Sequence, residues 1–185
     1  MDESSRIFVI TRIRGSGRKN MKTAVVYYSM TGNVEFAAKI IAEKLNADLI
    51  RLEPEKAYPD SGFKKFFWGG KSAVMGETPK LMGRPFALAD YDCVVLGTPV
   101  WAGTFAPPLR TLIRTNAGKW REKKVAAFIC SGGGPGKALD KLKKELDIPA
   151  FAAVLSLIDP KDKPSQDSES RIAAFCESVE NACSS

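Results

Sequence analysis

Apolar residues gather in four short runs, at 23–28, 93–96, 125–130 and 151–157. The runs are β-rich and nearly continuous. A strand with one wet face alternates between apolar and polar; a continuous run is what burial on both faces of a parallel sheet requires. A fifth run, 48–53 ("DLIRLE"), is weaker and more polar, which suits an edge strand. Between the runs lie stripes with helical spacing. Val34, Ala37, Ala38, Ile41 and Leu45 share one face. So do Phe105, Leu109, Leu112 and Ile113, then Leu139, Leu142 and Leu146, and finally Ile172, Phe175, Cys176, Val179 and Cys183. Strand and helix alternating at this interval predict right-handed βαβ units and a doubly wound α/β sheet.

Two stretches fall outside the alternation. Residues 1–20 end in "RGSGRKN", a charged and glycine-containing segment, before Met21 opens "MKTAVVYY", the natural start of a first strand. They are read as a flexible or non-native extension, with 7–10 as a candidate edge strand, and residues 21–185 as the domain. The connection 54–90 is long for a compact domain. It contains "GFKKFFWGGKSAVMGETPKL" (62–81), with Phe63, Phe66, Phe67 and Trp68 crowded together. A helix plus loop fits it. Long loops are often functional, and packing of the insert against the sheet accounts for it equally well.

Composition narrows the chemistry. The chain has no histidine, which removes Ser-His-Asp and Cys-His machinery and imidazole metal sites. Four cysteines form no CxxC pair. Cys93 and Cys130 sit in apolar runs, where cysteine behaves as a small hydrophobe. A reduced, cytoplasmic protein is the simplest reading. No apolar run approaches the ~18 residues of a membrane helix, and 7–10 is too short for a secretory leader. The net charge is +7, of which the first twenty residues contribute +3. Without an aromatic-plus-basic RNA motif, this reads as a solvated surface rather than a nucleic-acid site.

In open α/β sheets, ligands bind beyond the carboxyl ends of the strands. Three loops there carry candidate chemistry. The first, Ser29, Met30, Thr31, Gly32, Asn33 and Val34, joins strand 1 to helix 1. A helix start offers unpaired N–H groups and a positive dipole end, Ser29 and Thr31 add hydroxyls, and Gly32 admits close backbone approach. Plain N-capping would need one such residue, and three crowd the turn. It is neither a Walker loop nor GxGxxG, so one phosphate group fits better than a nucleoside triphosphate or a dinucleotide. The second loop holds Pro99, Val100, Trp101, Ala102 and Gly103. Trp101 can stack on a flat ligand or pack on its own loop. The third holds Ser131, Gly132, Gly133 and Gly134. "GGGPGK" is not a P-loop, because Ser131 stands six before Lys137 where glycine is needed and Ala138 replaces the hydroxyl. The glycines expose backbone N–H groups or serve a tight strand-to-helix turn.

Together "SMTGNV" (29–34), "TPVWAGTFAPPL" (98–109) and "CSGGGPG" (130–136) resemble the flavodoxin family in order and spacing over residues 22–183. The resemblance implies a flavodoxin-like three-layer sandwich. Its sheet would have five parallel strands in the order 2-1-3-4-5, of the short-chain type, and would bind FMN. Ser29, Thr31, Gly32, Asn33 and Val34 would hold the phosphate, 99–103 would flank the isoalloxazine with Trp101 against its face, and 131–134 would meet the pyrimidine edge. Three features depart from the family pattern. Val34 stands where many members have a hydroxyl, the third loop lacks an aromatic, and the chain is basic. The implied function is electron carriage between redox protein partners. The alternative is an FMN-dependent NAD(P)H:quinone or nitro-compound reductase, and a binding module without flavin is a third class.

Overall fold

Residues within one strand face two different cores. In β1 (Thr23–Tyr27) and β3 (Cys93–Trp101), Ala24, Val26, Val94 and Leu96 join one apolar cluster, while Val25, Tyr27, Cys93 and Val95 join another. That division is the structural form of the continuous apolar run: both faces are covered. The computed structural model describes residues 21–56, 58 and 71–183. The N-terminal stretch 1–20 and the cluster Phe63, Phe66, Phe67 and Trp68 lie outside the described residues.

The remaining strands are β2 (Asp48–Arg51), β4 (Thr104–Phe105), β5 (Lys124–Ser131) and β6 (Val154–Ile158). The helices are α1 (Asn33–Lys44), α2 (Pro107–Thr115), α3 (Ala138–Leu146) and α4 (Gln166–Cys183). Among the described residues the sheet runs β2-β1-β3-β5-β6, with every neighbouring pair parallel. The two-residue β4 pairs antiparallel with the end of β3. Counting the parallel strands alone, the order is the expected 2-1-3-4-5. Helices α1 and α4 bury Val34, Ile41, Ile172 and Val179 in one core, and α2 and α3 bury Leu109, Leu112, Leu142 and Leu146 in the other. The result is three layers, helix on sheet on helix.

Boundaries differ from the sequence reading in instructive places. β3 does not stop at Leu96 but continues through Pro99 to Trp101. Phe105 belongs to β4, so the stripe of α2 begins at Leu109; Pro107 and Pro108 open that helix, where a missing N–H is harmless. β6 starts at Val154 rather than 151. The long connection is pinched at its base by antiparallel bonds, Met82 N–H to the Glu53 carbonyl at 2.7 Å and Glu55 N–H to the Lys80 carbonyl at 2.9 Å.

Register fixes where the strand ends fall. Tyr27 lies beside Gly97, Pro99 beside Cys130, and Ser131 beside Ile158. The carboxyl ends of β1, β3, β5 and β6 therefore share one rim. At the opposite end of the sheet, the sulfurs of Cys93 and Cys183 lie 2.8 Å apart.

Gly97 is required by packing rather than by backbone freedom. A Cβ there would stand 2.3 Å from the Phe128 ring, which is fully buried on the adjacent strand. Overpacking a rigid core costs roughly 1–3 kcal/mol. Gly97→Ala is therefore expected to lower the unfolding free energy by about that amount in urea titration, and the loss should shrink in a Phe128→Leu background.

Candidate functional site

The first corner is built by a serine–glycine latch. Gly32 N–H donates to Ser29 Oγ at 3.1 Å, and Gly32 sits at φ 92°, a left-handed conformation that suits glycine. Gly32 is also the N-cap of α1, and no side chain caps this helix. The first helical bond is made by Phe36 N–H to the Gly32 carbonyl at 2.9 Å. The N–H groups of Asn33, Val34 and Glu35 precede it, so the positive end of α1 faces the rim without a side-chain cap. The hydroxyl and amide residues of this turn are thus not there for ordinary capping.

Asn33 has a different task from the one its sequence position implies. Its side chain is buried and bridges to the loop after β6. Oδ1 accepts Lys161 N–H at 2.9 Å, and Nδ2 donates to Asp162 Oδ2 at 2.7 Å. A fourth loop, 159–163, is thereby clamped against the first corner. Asp159, at φ 40°, donates its N–H to the Ser131 carbonyl at 3.2 Å and pairs with Lys163 at 3.6 Å.

The second loop is a tight hairpin. Trp101 pairs with Thr104, and the two residues between, Ala102 and Gly103, have φ of 49° and 69°. Positive φ at both positions is the signature of a type I′ turn. Thr98 anchors its base: buried Oγ1 accepts Ala106 N–H at 3.0 Å. Trp101 packs against the core cluster that holds Tyr28 and Phe105. Its indole meets Tyr28 at 5.6 Å and Tyr58 at 5.2 Å, with interplanar angles of 88° and 78°. Two edge contacts hold the ring upright at the rim.

The third loop repeats the latch of the first. Gly134 N–H donates to Ser131 Oγ at 3.0 Å, with Gly134 at φ 112°. Gly136 approaches Gly103 so closely that a Cβ would stand 3.4 Å from the Gly103 Cα, which joins the second and third loops.

These loops enclose a cleft of about 760 Å³, within the usual size for a small-molecule site. Ser29, Met30, Thr31, Asn33 and Val34 line one end; Pro99, Val100, Trp101 and Ala102 form a wall; Ser131 and Gly132 close the far edge. Gly32, Gly103, Gly133 and Gly134 shape the turns and do not line the cavity. Three lining residues were not among the expected site residues: Cys130, read as a buried hydrophobe, and Asp159 and Asp162. The signal was present, since "DPKDK" follows the last strand at the same ligand edge.

Burial, and then the Asp159 carboxylate, push the Cys130 thiol up to about 12. Burial likewise raises Tyr28, with Tyr58 adding to it. Cys130 is therefore a thiol at neutral pH, not a nucleophile. What the site offers is an anion-receiving corner at one end and an aromatic wall along the side.

A doubly wound sheet in this strand order, with a cleft at its carboxyl rim, defines the flavodoxin-like class of α/β proteins. A family model described as Flavodoxin matches residues 22–159, and the chain belongs to that family. Among solved structures it is similar to a flavoprotein in complex with FMN from Lactobacillus acidophilus NCFM. The two share 22% identity and a TM-score of 0.61 over 77% of this chain and 96% of that one. It is also similar to oxidised Flavodoxin 1 from Bacillus cereus, with 17% identity and a TM-score of 0.57 over 86% and 97% of the two chains. A third likeness is to rubredoxin oxygen:oxidoreductase from Desulfovibrio gigas, with 17% identity and a TM-score of 0.58 over 88% of this chain and 36% of that one. At these identities the likeness carries the fold.

Two outcomes follow from the site's geometry. Ala102 adopts a left-handed conformation that costs an ordinary residue roughly 1–2 kcal/mol. Ala102→Asn creates the favoured Asn-Gly pair and should raise the unfolding free energy, by up to about 1 kcal/mol, in urea titration. The Cys130 thiol ionises near 9 when unfolded and near 12 when folded. Stability should therefore be full below pH 9 and fall as the pH rises through that window. Comparing urea midpoints of the parent and Cys130→Ala across it should show a shallower slope in the variant.

Proposed function

We propose that the protein binds FMN in this cleft and carries electrons between redox protein partners. The observation that carries the reading is the pairing of an uncapped helix start with an upright aromatic wall in one cavity. The residues fit the cofactor. The first-turn N–H groups of α1, with the Ser29 and Thr31 hydroxyls, match a phosphate monoester. Trp101 and the 99–102 segment match a flat tricyclic ring, and the backbone at Ser131 and Gly132 matches its polar edge. Bound FMN supplies the redox chemistry, accepting electrons from a donor and passing them on. The chain's part is to orient the ring, neutralise the phosphate and keep water from the wall side.

Carriage is favoured over turnover of a small substrate because, among the described residues, neither an imidazole nor an ionised thiol or phenol serves the cleft. The chain has no histidine, Cys130 holds its proton, and Tyr28 is raised by burial. Reduced thiols fit a cytoplasmic setting, and among the described residues no helix is long and apolar enough to cross a membrane. One observation favours the second reading, an FMN-dependent NAD(P)H:quinone or nitro-compound reductase. Among the described residues, a Cβ at Gly103 or Gly133 would meet nothing within 4 Å, which leaves room for a substrate at that edge of the rim.

Titration with FMN, followed by flavin fluorescence, tests the binding. Saturable quenching is expected, and Trp101→Ala should weaken binding by about 1 kcal/mol beyond the lost area, roughly fivefold. The FMN-loaded protein should oxidise NAD(P)H with a quinone only when a separate reductase is added. Rapid oxidation by the isolated protein would establish the reductase instead.

A further inference from the structure

The phosphate corner has fewer free donors than its sequence implies. Gly32 N–H is committed to Ser29 Oγ. The Asn33 side chain is committed at both ends, to Lys161 N–H and to Asp162. Val34 has no side-chain donor. A phosphate monoester carries about −1.5 to −2 charge at pH 7, and a corner of neutral donors balances that poorly.

The fourth loop brings the missing charge. The clamp on Asn33 fixes the backbone of Lys161 beside the first turn of α1. Further bonds stiffen the loop: Asp162 N–H and Lys163 N–H both reach the Asp159 carbonyl, at 3.0 and 2.7 Å. From there the Lys161 side chain runs back across Gly32. A Cβ at Gly32 would stand 3.1 Å from Nζ and 3.3 Å from Cδ. The ammonium has one weak partner, the Thr31 carbonyl at 3.5 Å. Among the described residues it forms no ion pair. Of the two carboxylates of this loop that line the cleft, Asp159 pairs with Lys163 at 3.6 Å, while Asp162 accepts the neutral Asn33 amide and keeps its charge. The other cation at this corner, Arg51, touches the Ser29 carbonyl but is already neutralised by Glu35 at 2.8 Å and Glu53 at 3.6 Å. Among the described residues, Lys161 is a cation with no ion-pair partner beside an uncapped helix start.

We infer that Lys161 closes onto the flavin's phosphate and makes the site selective for the phosphorylated flavin over riboflavin. The inference rests on the FMN reading of the cleft. The side chain is exposed, and rotation about its four-carbon stem carries Nζ from the Thr31 carbonyl to an anion held at the α1 N-terminus. A charge-assisted contact of this kind replaces the donor that Val34 lacks.

The test compares FMN and riboflavin as probes. Both are titrated into the parent protein, Lys161→Ala and Lys161→Arg, at low and high salt, with thermal unfolding as a check on folding. The expected result is that Lys161→Ala binds FMN roughly tenfold or more weakly, binds riboflavin as the parent does, and loses part of the salt dependence of FMN binding. Lys161→Arg should restore most of the FMN affinity. If the parent binds FMN and Lys161→Ala matches it in affinity and salt dependence, the lysine has no such role. An equal loss for riboflavin and FMN also overturns the inference, because the effect would not depend on the phosphate. A parent protein that binds neither flavin overturns the cofactor reading itself, an outcome distinct from both.

Discussion

Parallel strands cannot be joined by a tight hairpin; each must be reached by a crossover from the carboxyl end of the previous one. That constraint governs this molecule. With β1, β3, β5 and β6 parallel and in register, the loops that leave their carboxyl ends open on the same rim, and the start of α1 presents its unpaired N–H groups there. The two apolar cores on either side of the sheet hold the strands rigid, so the turns are fixed relative to one another. A cleft between them is a consequence of the connectivity, and its chemistry is decided by which residues the turns carry.

The buried amide of Asn33 turns this shared rim into a closed corner. It joins the first loop to the fourth across most of the chain length, with both polar ends satisfied. A buried amide with one partner removed would leave its remaining polar atom desolvated and unpaired, at a cost of roughly 1–3 kcal/mol. The bridge therefore sets the position of 159–163 firmly. It also explains why Lys161 lies where it does, since its own backbone N–H is one of the two anchors. A contact that looks structural in one view sets charge placement in another.

The parts of the fold that could be read in the sequence are those with local signatures. Buried strands show as continuous apolar runs, and α1 and α4 show as stripes whose residues are found in one core. The errors are equally physical. β3 runs on through Thr98, Pro99 and Val100, which look like loop because proline and a polar residue interrupt the apolar run; pairing with β4 and β5 sustains them. Phe105 fits the spacing of the α2 stripe, yet it pairs with Val100 as strand and packs in the same core. Three of the four rim loops were legible because serine, glycine and tryptophan stood out. The loop 159–163 was not, because "DPKDK" has the composition of any exposed turn. Its significance comes from Asn33, more than a hundred residues earlier, and no local pattern encodes that pairing.

Two of the rim turns use the same device. In each, a serine at or just beyond a strand's carboxyl end accepts, through its Oγ, the N–H of the glycine three residues on, at 3.1 Å for Ser29 and 3.0 Å for Ser131. Both glycines sit at positive φ, 92° and 112°. The serine oxygen is an acceptor in this latch, so its own hydroxyl proton stays available to the cleft. Each serine can thus hold the turn and still donate to a ligand. A turn latched this way has already lost the freedom that binding would otherwise remove, and affinity gained by preorganisation needs no added contact. With Trp101 braced by two tyrosines and the fourth loop clamped by Asn33, most of the rim is set beforehand. The exposed side chain of Lys161 is not fixed in this way, and a long-stemmed cation beside a preorganised corner divides the labour between fit and charge.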